Sequence, residues 1–495
     1  MADYKLSYSR VDQDLLKTME APGRTWYILL TVAIALVALG GFAFSRQIRY
    51  GMGVWGLTHP TMWAIDITNF VFWVGIAHSG TLISAILFLF RVRWRASIYR
   101  AAEAVTVFAL MTAALFPIIH LGRPWYVYWL LPYPQVGGLW PNFRSPLIWD
   151  VFAVLTYMLV SMVFFFTGLV PDLAVVRDQS RGWRRRLYGF LAQGWQGTDR
   201  QWRHYTSAYL FLAALATPLV ISVHSVVSWD FAMSMVPGWH STIFAPYFVA
   251  GAIHSGLAMV ITLLILLRRT FRLDAYLTQT HLENLAKLIV LTGLIVGYSY
   301  ATEYFIAWYS ANTFEWETFR YRALGDYAWG FWIMIVFNSL VPLLFFVKKI
   351  RTSTPWLLTI SLLINVGMWL ERFIIIVTSL ARDYDPYTWG LYRPTWVDLS
   401  ITAGSFGWFF LWFLLFAKLL PVVSIVEVKE QLPPPMAGEA RNPPTPPLQK
   451  GGTGGFEMRR EACLQALHLL AGERSAPLPL YTYRASHADD VGAER

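Results

Sequence analysis

The sequence is poor in cysteine and in charge. It has one cysteine among 495 residues, Cys463, and only 14% of the residues are Asp, Glu, Lys or Arg. A single thiol excludes an intrachain disulfide framework, and this chain alone cannot hold a zinc tetrathiolate or an iron–sulfur cluster. Hydrophobic residues make up 56% of the chain and the mean hydropathy is +0.44. Such a composition excludes a water-soluble domain and predicts a membrane protein.

Apolar runs long enough to cross a bilayer recur along most of the chain. They predict an all-α polytopic membrane protein with ten transmembrane helices, at 26–44, 62–90, 101–120, 146–170, 204–230, 243–267, 283–309, 327–347, 355–380 and 400–424. The first run follows about 25 mixed polar residues and ends without a small-x-small cleavage site, so we expect a retained helix and no signal peptide.

The positive charges predict the orientation. The connecting segments on the side of the two termini hold 21 Lys and Arg residues, and those on the other side hold eight. By the positive-inside rule we expect both termini to be cytoplasmic and the opposite loops to be periplasmic or extracellular. The expected location is a bacterial inner (plasma) membrane. Because the net charge of +10 is spread over these loops, we expect the bilayer as a partner and no nucleic acid.

A short internal repeat predicts the arrangement of the helices. Residues 77–80 (Ala-His-Ser-Gly) match residues 253–256 (Ile-His-Ser-Gly), and both blocks run down to arginines. Four helices separate the two blocks, so helices 2–5 and 6–9 are predicted to form two four-helix bundles of the same orientation, flanked by helices 1 and 10. The predicted membrane domain is thus 26–425, after an N-terminal segment 1–25.

The composition changes after residue 425. Residues 432–455 contain Pro-Pro-Pro, Pro-Pro-Thr-Pro-Pro and Gly-Gly-Thr-Gly-Gly, which are typical of an extended linker. Residues 456–472 predict a short amphipathic helix within a cytoplasmic tail, 426–495.

Ionisable residues inside membrane spans are costly and are therefore functional candidates. Most of them lie near the predicted periplasmic ends of the helices: Asp66, His120, Asp150, His224, Asp230, Glu303, Glu371 and Arg372, with His78 nearer the middle. The polar Asn69 lies at the same level as this group. Glu103 and Glu283 lie near cytoplasmic helix starts, where we expect structural roles.

The short connection between helices 3 and 4 brings His120 and Asp150 towards a common cavity. A neutral imidazole accepts a proton near physiological pH, and a neighbouring carboxylate orients the ring and stabilises its charged form. This pair is predicted to be catalytic in deprotonating a quinol. Arg123 is predicted to pair with Asp150 or Asp66, and a salt bridge that merely ties helix ends is the alternative.

The remaining histidines allow several interpretations. Haem b needs two axial imidazoles on facing helices, and His78 and His254 occupy equivalent positions of the repeat. Since paired histidines on one helix are missing, we expect no haem in this chain. Ser79-Gly80 and Ser255-Gly256 are instead typical of close helix packing, and proton transfer by His78, His224, Asp230, His254 or Glu303 is a second interpretation. His240 and His281 are expected at the surface.

Residues 116–125 (Phe-Pro-Ile-Ile-His-Leu-Gly-Arg-Pro-Trp) resemble the Leu-Gly-Arg-Pro hallmark of NrfD-like, polysulfide-reductase-type membrane subunits. More narrowly, the chain resembles the larger quinol-oxidising subunit (ActC) of bacterial alternative complex III. Supporting segments are 78–81, 126–134, 145–150, 224–230, 237–242 and 301–310. The likeness covers roughly 25–425.

The resemblance implies ten helices in two bundles and a menaquinol or ubiquinol site near the periplasmic face, with no metal, haem or cluster in this chain. It implies quinol binding at Asp66, His120, Arg123 and Asp150, positions that helix depth also selects together with Asn69. The implied partners are a periplasmic iron–sulfur subunit, c-type haem subunits and a second NrfD-like membrane subunit. Proton translocation across the membrane is left open.

Two other functions remain open at this stage. A proton-coupled secondary transporter also has duplicated helical bundles with buried carboxylates, but its site is expected near mid-membrane between broken helices. A quinone subunit of a polysulfide or nitrite reductase complex would share the site and differ in partners and in the direction of electron flow.

Overall fold

A computed structural model describes residues 7–20, 22–131 and 143–432, all within one compact unit. Ten helices in this part are long and apolar enough to span a membrane. We call them spans 1 to 10: Arg24–Tyr50, Ile65–Leu89, Tyr99–His120, Pro146–Gln179, Asp199–Ala232, Phe244–Phe271, Gln279–Tyr309, Ala328–Phe346, Thr354–Ala381 and Trp396–Leu419. The predicted fold class is confirmed. The predicted linker and tail helix lie outside the described residues.

Some helices begin or end at residues other than those predicted from the apolar runs, because caps and prolines set the ends. Span 4 continues nine residues beyond the predicted end at 170 and runs to Gln179, although Pro171 lies inside it and removes one backbone hydrogen bond. Span 5 begins at Asp199 because Thr198 and Gln201 form a capping box. Span 10 ends at Leu419, five residues early, since Leu420 precedes Pro421 and adopts an extended conformation.

Spans 2 and 6 form the centre of the molecule, with 83% of the apolar window of each buried. Their backbones approach closely at Gly256, where an added Cβ would lie 2.5 Å from the Ser79 hydroxyl and 2.7 Å from the Ile76 carbonyl oxygen. Gly80 packs equally tightly on span 3, against the Ala102 carbonyl oxygen. The close packing predicted for the two Ser-Gly pairs is therefore present, and the division into two bundles stays a prediction.

Spans 1 and 10 pack along their length against each other. An added Cβ on Gly40 would lie 2.8 Å from the Gly404 Cα, whereas one on Gly41 would meet nothing within 4 Å. Only 11% of the apolar window of span 1 is buried. Span 1 therefore presents most of its surface outward, where lipid surrounds a membrane protein.

The segments that precede span 1 and follow span 10 meet at one face of the molecule, which we call the terminal face. The N-terminal helix Tyr8–Lys17 contacts the short helix Ile425–Glu430, and Lys429 Nζ lies 2.6 Å from Asp12 Oδ1. Both side chains are buried, and burial raises the pKa of Asp12 above its ordinary value, against the attraction of Lys429. We call this contact the clasp.

The terminal face also holds buried ion pairs beneath the clasp. Arg100 bonds to Glu103 and to Asp172, each at 3.0 Å, and all three side chains are buried. Asp172 in turn accepts a hydrogen bond from the backbone N–H of Val426. Asp172 was not among the predicted candidates, because span 4 was predicted to end before it. These ion pairs make Glu103 part of a structural network.

Candidate functional site

The face opposite the terminal face carries an acid–base pair. His120, in the last turn of span 3, lies with its Nδ1 2.6 Å from Asp66 Oδ2 in the first turn of span 2. Asp66 is fully buried, whereas the imidazole is 31% exposed. Because Nδ1 meets the carboxylate, the neutral ring carries its proton there and leaves the Nε2 lone pair free to accept another. The structure thus gives His120 the partner Asp66, where Asp150 was expected.

Local sequence explains why His120 stands at this level. Gly122 takes a left-handed conformation with φ of +75° and ends the helix two residues after the histidine. The buried side chain of Gln47 donates hydrogen bonds to the carbonyl oxygens of Ile119 and Gly122, at 2.6 and 3.3 Å. Span 1 therefore holds the end of span 3. Gln47 lies in the polar stretch Ser-Arg-Gln-Ile-Arg beyond the apolar run 26–44, so no signal in the sequence pointed to this contact.

Three aromatic residues from separate elements flank the pair. The Trp63 ring lies edge-on to His120 at 6.3 Å between centroids, stacks on Trp239 at 5.9 Å and meets Phe231 at 5.9 Å. The Trp239 indole donates to the Ile375 carbonyl oxygen, which fixes its position. We call Trp63, Phe231 and Trp239 the aromatic wall. No role was predicted for these residues, since aromatic residues abound near membrane interfaces.

Asp150 has an acidic neighbour on the adjacent helix. Its carboxyl interacts electrostatically with that of Asp230, near the end of span 5, and Trp149 meets Trp229 beside them at 6.1 Å. Oδ1 of each aspartate is buried and accepts no hydrogen bond among the described residues. Two neighbouring carboxyl groups whose oxygens accept no other hydrogen bond can share one proton.

The other predicted site residues at this face have different surroundings. Asn69 accepts a hydrogen bond from the Trp369 indole and donates one to Thr402, each at 2.8 Å, so its amide ties spans 2, 9 and 10. Arg123 is exposed and forms no ion pair with Asp66 or Asp150 in the described structure. Its guanidinium remains accessible from the membrane surface.

The loop before span 10 lies near Asp66, which interacts electrostatically with Tyr392 of this loop. The Tyr392 hydroxyl donates to Asp398 Oδ1 at 2.7 Å, and the backbone N–H groups of Thr395 and Gly56 donate to Asp398 Oδ2. Burial and the neighbouring Asp398 raise the pKa of Tyr392 above its ordinary value, so the phenol stays protonated. Tyr392 therefore remains a hydrogen-bond donor to Asp398, at the contact between the segment before span 2 and the segment before span 10.

Buried histidines lie deeper in the same region. The His78 and His224 rings are 4.6 Å apart between centroids, and His78 Nδ1 bonds to the Val74 carbonyl oxygen. His254 instead bonds through Nδ1 to Thr292 at 2.8 Å. The structure therefore places His224 beside His78, where the repeat suggested His254.

Spans 7, 8 and 9 hold a second polar cluster. The Tyr300 hydroxyl and the Arg372 guanidinium both contact the buried carboxylate of Glu371, and Asn338 donates to Tyr300 at 3.0 Å. A widened, π-helical turn at Val336–Leu340 carries Asn338. Glu371 and Arg372 were predicted only as charges within a span, without a role.

Glu303 lies between this cluster and the surface. One of its oxygens is buried without a partner among the described residues, and it interacts electrostatically with Arg322 of the helix Thr313–Leu324. Arg322 bonds to Gly238 and Ser379, and Glu315 accepts from the Gly238 N–H at 2.8 Å. Burial raises the pKa of Glu315, although this hydrogen bond opposes the rise.

The described part of the chain holds ten candidate spanning helices, with a His–Asp pair and partnerless carboxyl oxygens near one face. These features define a multi-pass helical membrane protein with acidic and basic side chains grouped close to one surface. The chain matches the family model described as "Polysulphide reductase, NrfD" over residues 53–382. It belongs to the NrfD family, as the motif around His120 suggested.

Three named relatives are similar over most of their length. The membrane C-subunit of a putative dimethyl sulfoxide reductase from Halobacterium salinarum is 26% identical, covering 79% of this chain and 89% of that protein. The C-subunit of the selenate reductase from Mesobacillus selenatarsenatis is 23% identical, covering 80% and 94%. The integral membrane subunit of an Hdr-like menaquinol oxidoreductase from Archaeoglobus fulgidus is 20% identical, covering 73% and 81%.

Proposed function

We propose that this chain is the quinol-oxidising membrane subunit of a quinol:electron-acceptor oxidoreductase, of the alternative complex III type. The observation that carries the proposal is the His120–Asp66 pair, with a free imidazole nitrogen beside the aromatic wall. Membership of the NrfD family and the relatives named as oxidoreductase membrane subunits support it. The face bearing the pair is taken as periplasmic and the terminal face as cytoplasmic.

The chemistry follows from the groups at this face. A quinol that becomes a quinone releases two protons and two electrons. One hydroxyl donates its proton to His120 Nε2, and the buried Asp66 carboxylate stabilises the resulting imidazolium. The second proton goes to the vacant oxygens of Asp150 and Asp230. The accessible Arg123 lies at the entrance, and the aromatic wall bounds the ring.

The electrons leave through a partner, because this chain has no cysteines for a cluster of its own within the membrane domain. We propose a periplasmic iron–sulfur subunit as the acceptor, followed by c-type haem subunits, with a second NrfD-like subunit in the membrane. His78, His224, His254 and Glu303 are proposed to take part in proton transfer away from the site, since each has a buried polar atom without a partner in the described part of the chain.

Steady-state turnover of the purified native complex tests the proposal. We expect His120→Ala to lower quinol:acceptor turnover by about a hundredfold or more, the usual contribution of a positioned base. His240→Ala is the matched control, because His240 is exposed on the same face and its ring bonds to the carbonyl oxygen of Ser234. Normal turnover of His120→Ala, with assembly and partner cofactors intact, would refute the assignment.

A further inference from the structure

The connection between spans 4 and 5 contains a helix that the proposed function does not use. This helix, Gly182–Leu191, is here called the basic helix. Its side chains Trp183, Leu187 and Phe190 are 71%, 42% and 80% exposed. They are spaced four and three residues apart, so they form one ridge along the helix. The same segment carries four arginines, at positions 181, 184, 185 and 186.

Two hydrogen bonds fix the level of the basic helix relative to the membrane. The Tyr188 hydroxyl donates to the carbonyl oxygen of Leu419, the last residue of span 10, at 2.9 Å. Arg184 reaches the carbonyl oxygen of Met19, five residues before span 1 begins. Because the ends of spans mark the edge of the hydrocarbon layer, the basic helix lies at the level of the lipid headgroups on the terminal face.

The basic helix also lies at the outer edge of the protein. Through Arg184 it is joined to the segment that leads into span 1, the span with the smallest buried share. An exposed ridge of Trp, Leu and Phe next to a lipid-facing span is typical of a helix lying in the membrane interface. The ridge would otherwise leave large apolar side chains in water.

A cleft beside the helix concentrates positive charge. A cavity of about 590 Å³ is lined by Arg177, Gly182, Trp183, Arg185 and Arg186. Arg177 is paired with Asp178, whereas Arg185 and Arg186 are exposed and have no carboxylate partner among the residues described. Two guanidinium groups with free donors match the oxygens of a phosphodiester, which they bind in a forked geometry.

We propose that this cleft binds the headgroup phosphate of an anionic phospholipid, with the ridge of Trp183, Leu187 and Phe190 inserted among the acyl chains. The arginines supply the charge that selects an anionic lipid, and the ridge supplies the contact that a soluble phosphate lacks. The site is at the opposite face from the His120–Asp66 pair, so the proposal is independent of quinol chemistry.

Lipid binding to the delipidated native complex, followed by native mass spectrometry, tests the proposal. The probes are phosphatidylglycerol and phosphatidylcholine, with inorganic phosphate as competitor. Arg185→Gln/Arg186→Gln is expected to weaken phosphatidylglycerol binding about 30-fold, since each arginine near an anionic surface contributes about fivefold. Arg200→Gln/Arg203→Gln removes the same charge from exposed positions in the first two turns of span 5, and should change binding by less than about twofold.

Four results would each overturn the proposal. Equal losses in the two double variants would show diffuse attraction to net charge, and displacement of the lipid by millimolar phosphate would show a site for soluble anions. An unchanged affinity in Arg185→Gln/Arg186→Gln would show that the cleft binds no headgroup. Insertion of the ridge among the acyl chains is tested by tryptophan fluorescence. Phosphatidylglycerol with brominated acyl chains should quench less of the tryptophan fluorescence in Trp183→Phe than in the wild type, and equal quenching in both would refute insertion.

Discussion

At the scale of single residues, the candidate site rests on the contact between Asp66 and His120. Asp66 and His120 lie on different helices and meet because each stands in a terminal turn at the same face. Asp66 also accepts a hydrogen bond from the Ala64 N–H, which holds its carboxylate in place. Its role in the proposed reaction is to position the imidazole and balance its charge.

Asp66→Asn should therefore lower kcat about tenfold to a hundredfold, because the amide keeps a hydrogen bond to the ring but cannot balance an imidazolium. KM should change little, since the buried carboxylate lies behind the histidine. Initial rates over a range of quinol concentrations separate the two constants. Glu317→Gln, at an exposed position of the same face, serves as the control. An unchanged kcat would remove Asp66 from the mechanism.

Gly367 is a residue on which the second polar cluster depends. An added Cβ would collide with Asn338 Oδ1 and would lie 2.7 Å from the Phe337 Cβ. Gly367→Ala should displace Asn338 and lower stability by about 2 to 4 kcal/mol, through overpacking and a stranded polar group. Thermal unfolding in detergent measures the loss. Gly330→Ala, whose added Cβ would meet only side-chain carbons of Ile374 and Leu370, at 3.2 Å or more, should cost much less.

The sequence predicts the level of these residues in the membrane better than their partners. Position along an apolar run indicates the face for His120, Asp66, Asp150 and Asp230, because a helix rises by a fixed amount per residue. Which residues meet depends on helix rotation and neighbours, and a hydrophobic run that is buried on most sides carries little information about rotation. The His120–Asp66 and His78–His224 contacts are of this kind.

At the scale of elements, all ten spans were predictable, because a span needs about 20 apolar residues and little else. The ends of the spans were harder to predict, because capping residues and prolines end a helix whatever the hydropathy of the sequence around them. The basic helix was missed because ten residues rich in arginine have no apolar run. Its spacing of Trp183, Leu187 and Phe190 is the signal that reveals it.

The pairing of spans 1 and 10 gives an element-scale prediction. Gly40→Leu should separate the two helices, because its side chain would enter the space held by the Gly404 backbone. Gly41→Leu adds the same side chain one residue along, where nothing lies within 4 Å, and should be tolerated. A pair of cysteines, one placed at the end of span 1 and one at the neighbouring end of span 10, measures the distance between the two helices by the yield of crosslinking. Equal crosslinking in both variants would contradict the glycine contact.

At the scale of the whole molecule, the clasp joins two segments that are 417 residues apart in sequence. Asp12→Lys should release the N-terminal helix, since it places two ammonium groups against each other in a buried site. The exchange Asp12→Lys/Lys429→Asp should restore the contact. Hydrogen exchange of the backbone amides of residues 8–17 measures the release, and equal protection in the wild type and Asp12→Lys would refute it.

The clasp also sets an order of events during synthesis. The ribosome makes the N-terminal helix first and the helix Ile425–Glu430 after all ten spans, so Asp12 waits through the translation of the whole membrane domain for Lys429. A chain that stops before residue 425 lacks Lys429, so the clasp cannot form in it, even though Asp14 of the same N-terminal helix still has Tyr276 to accept a hydrogen bond from.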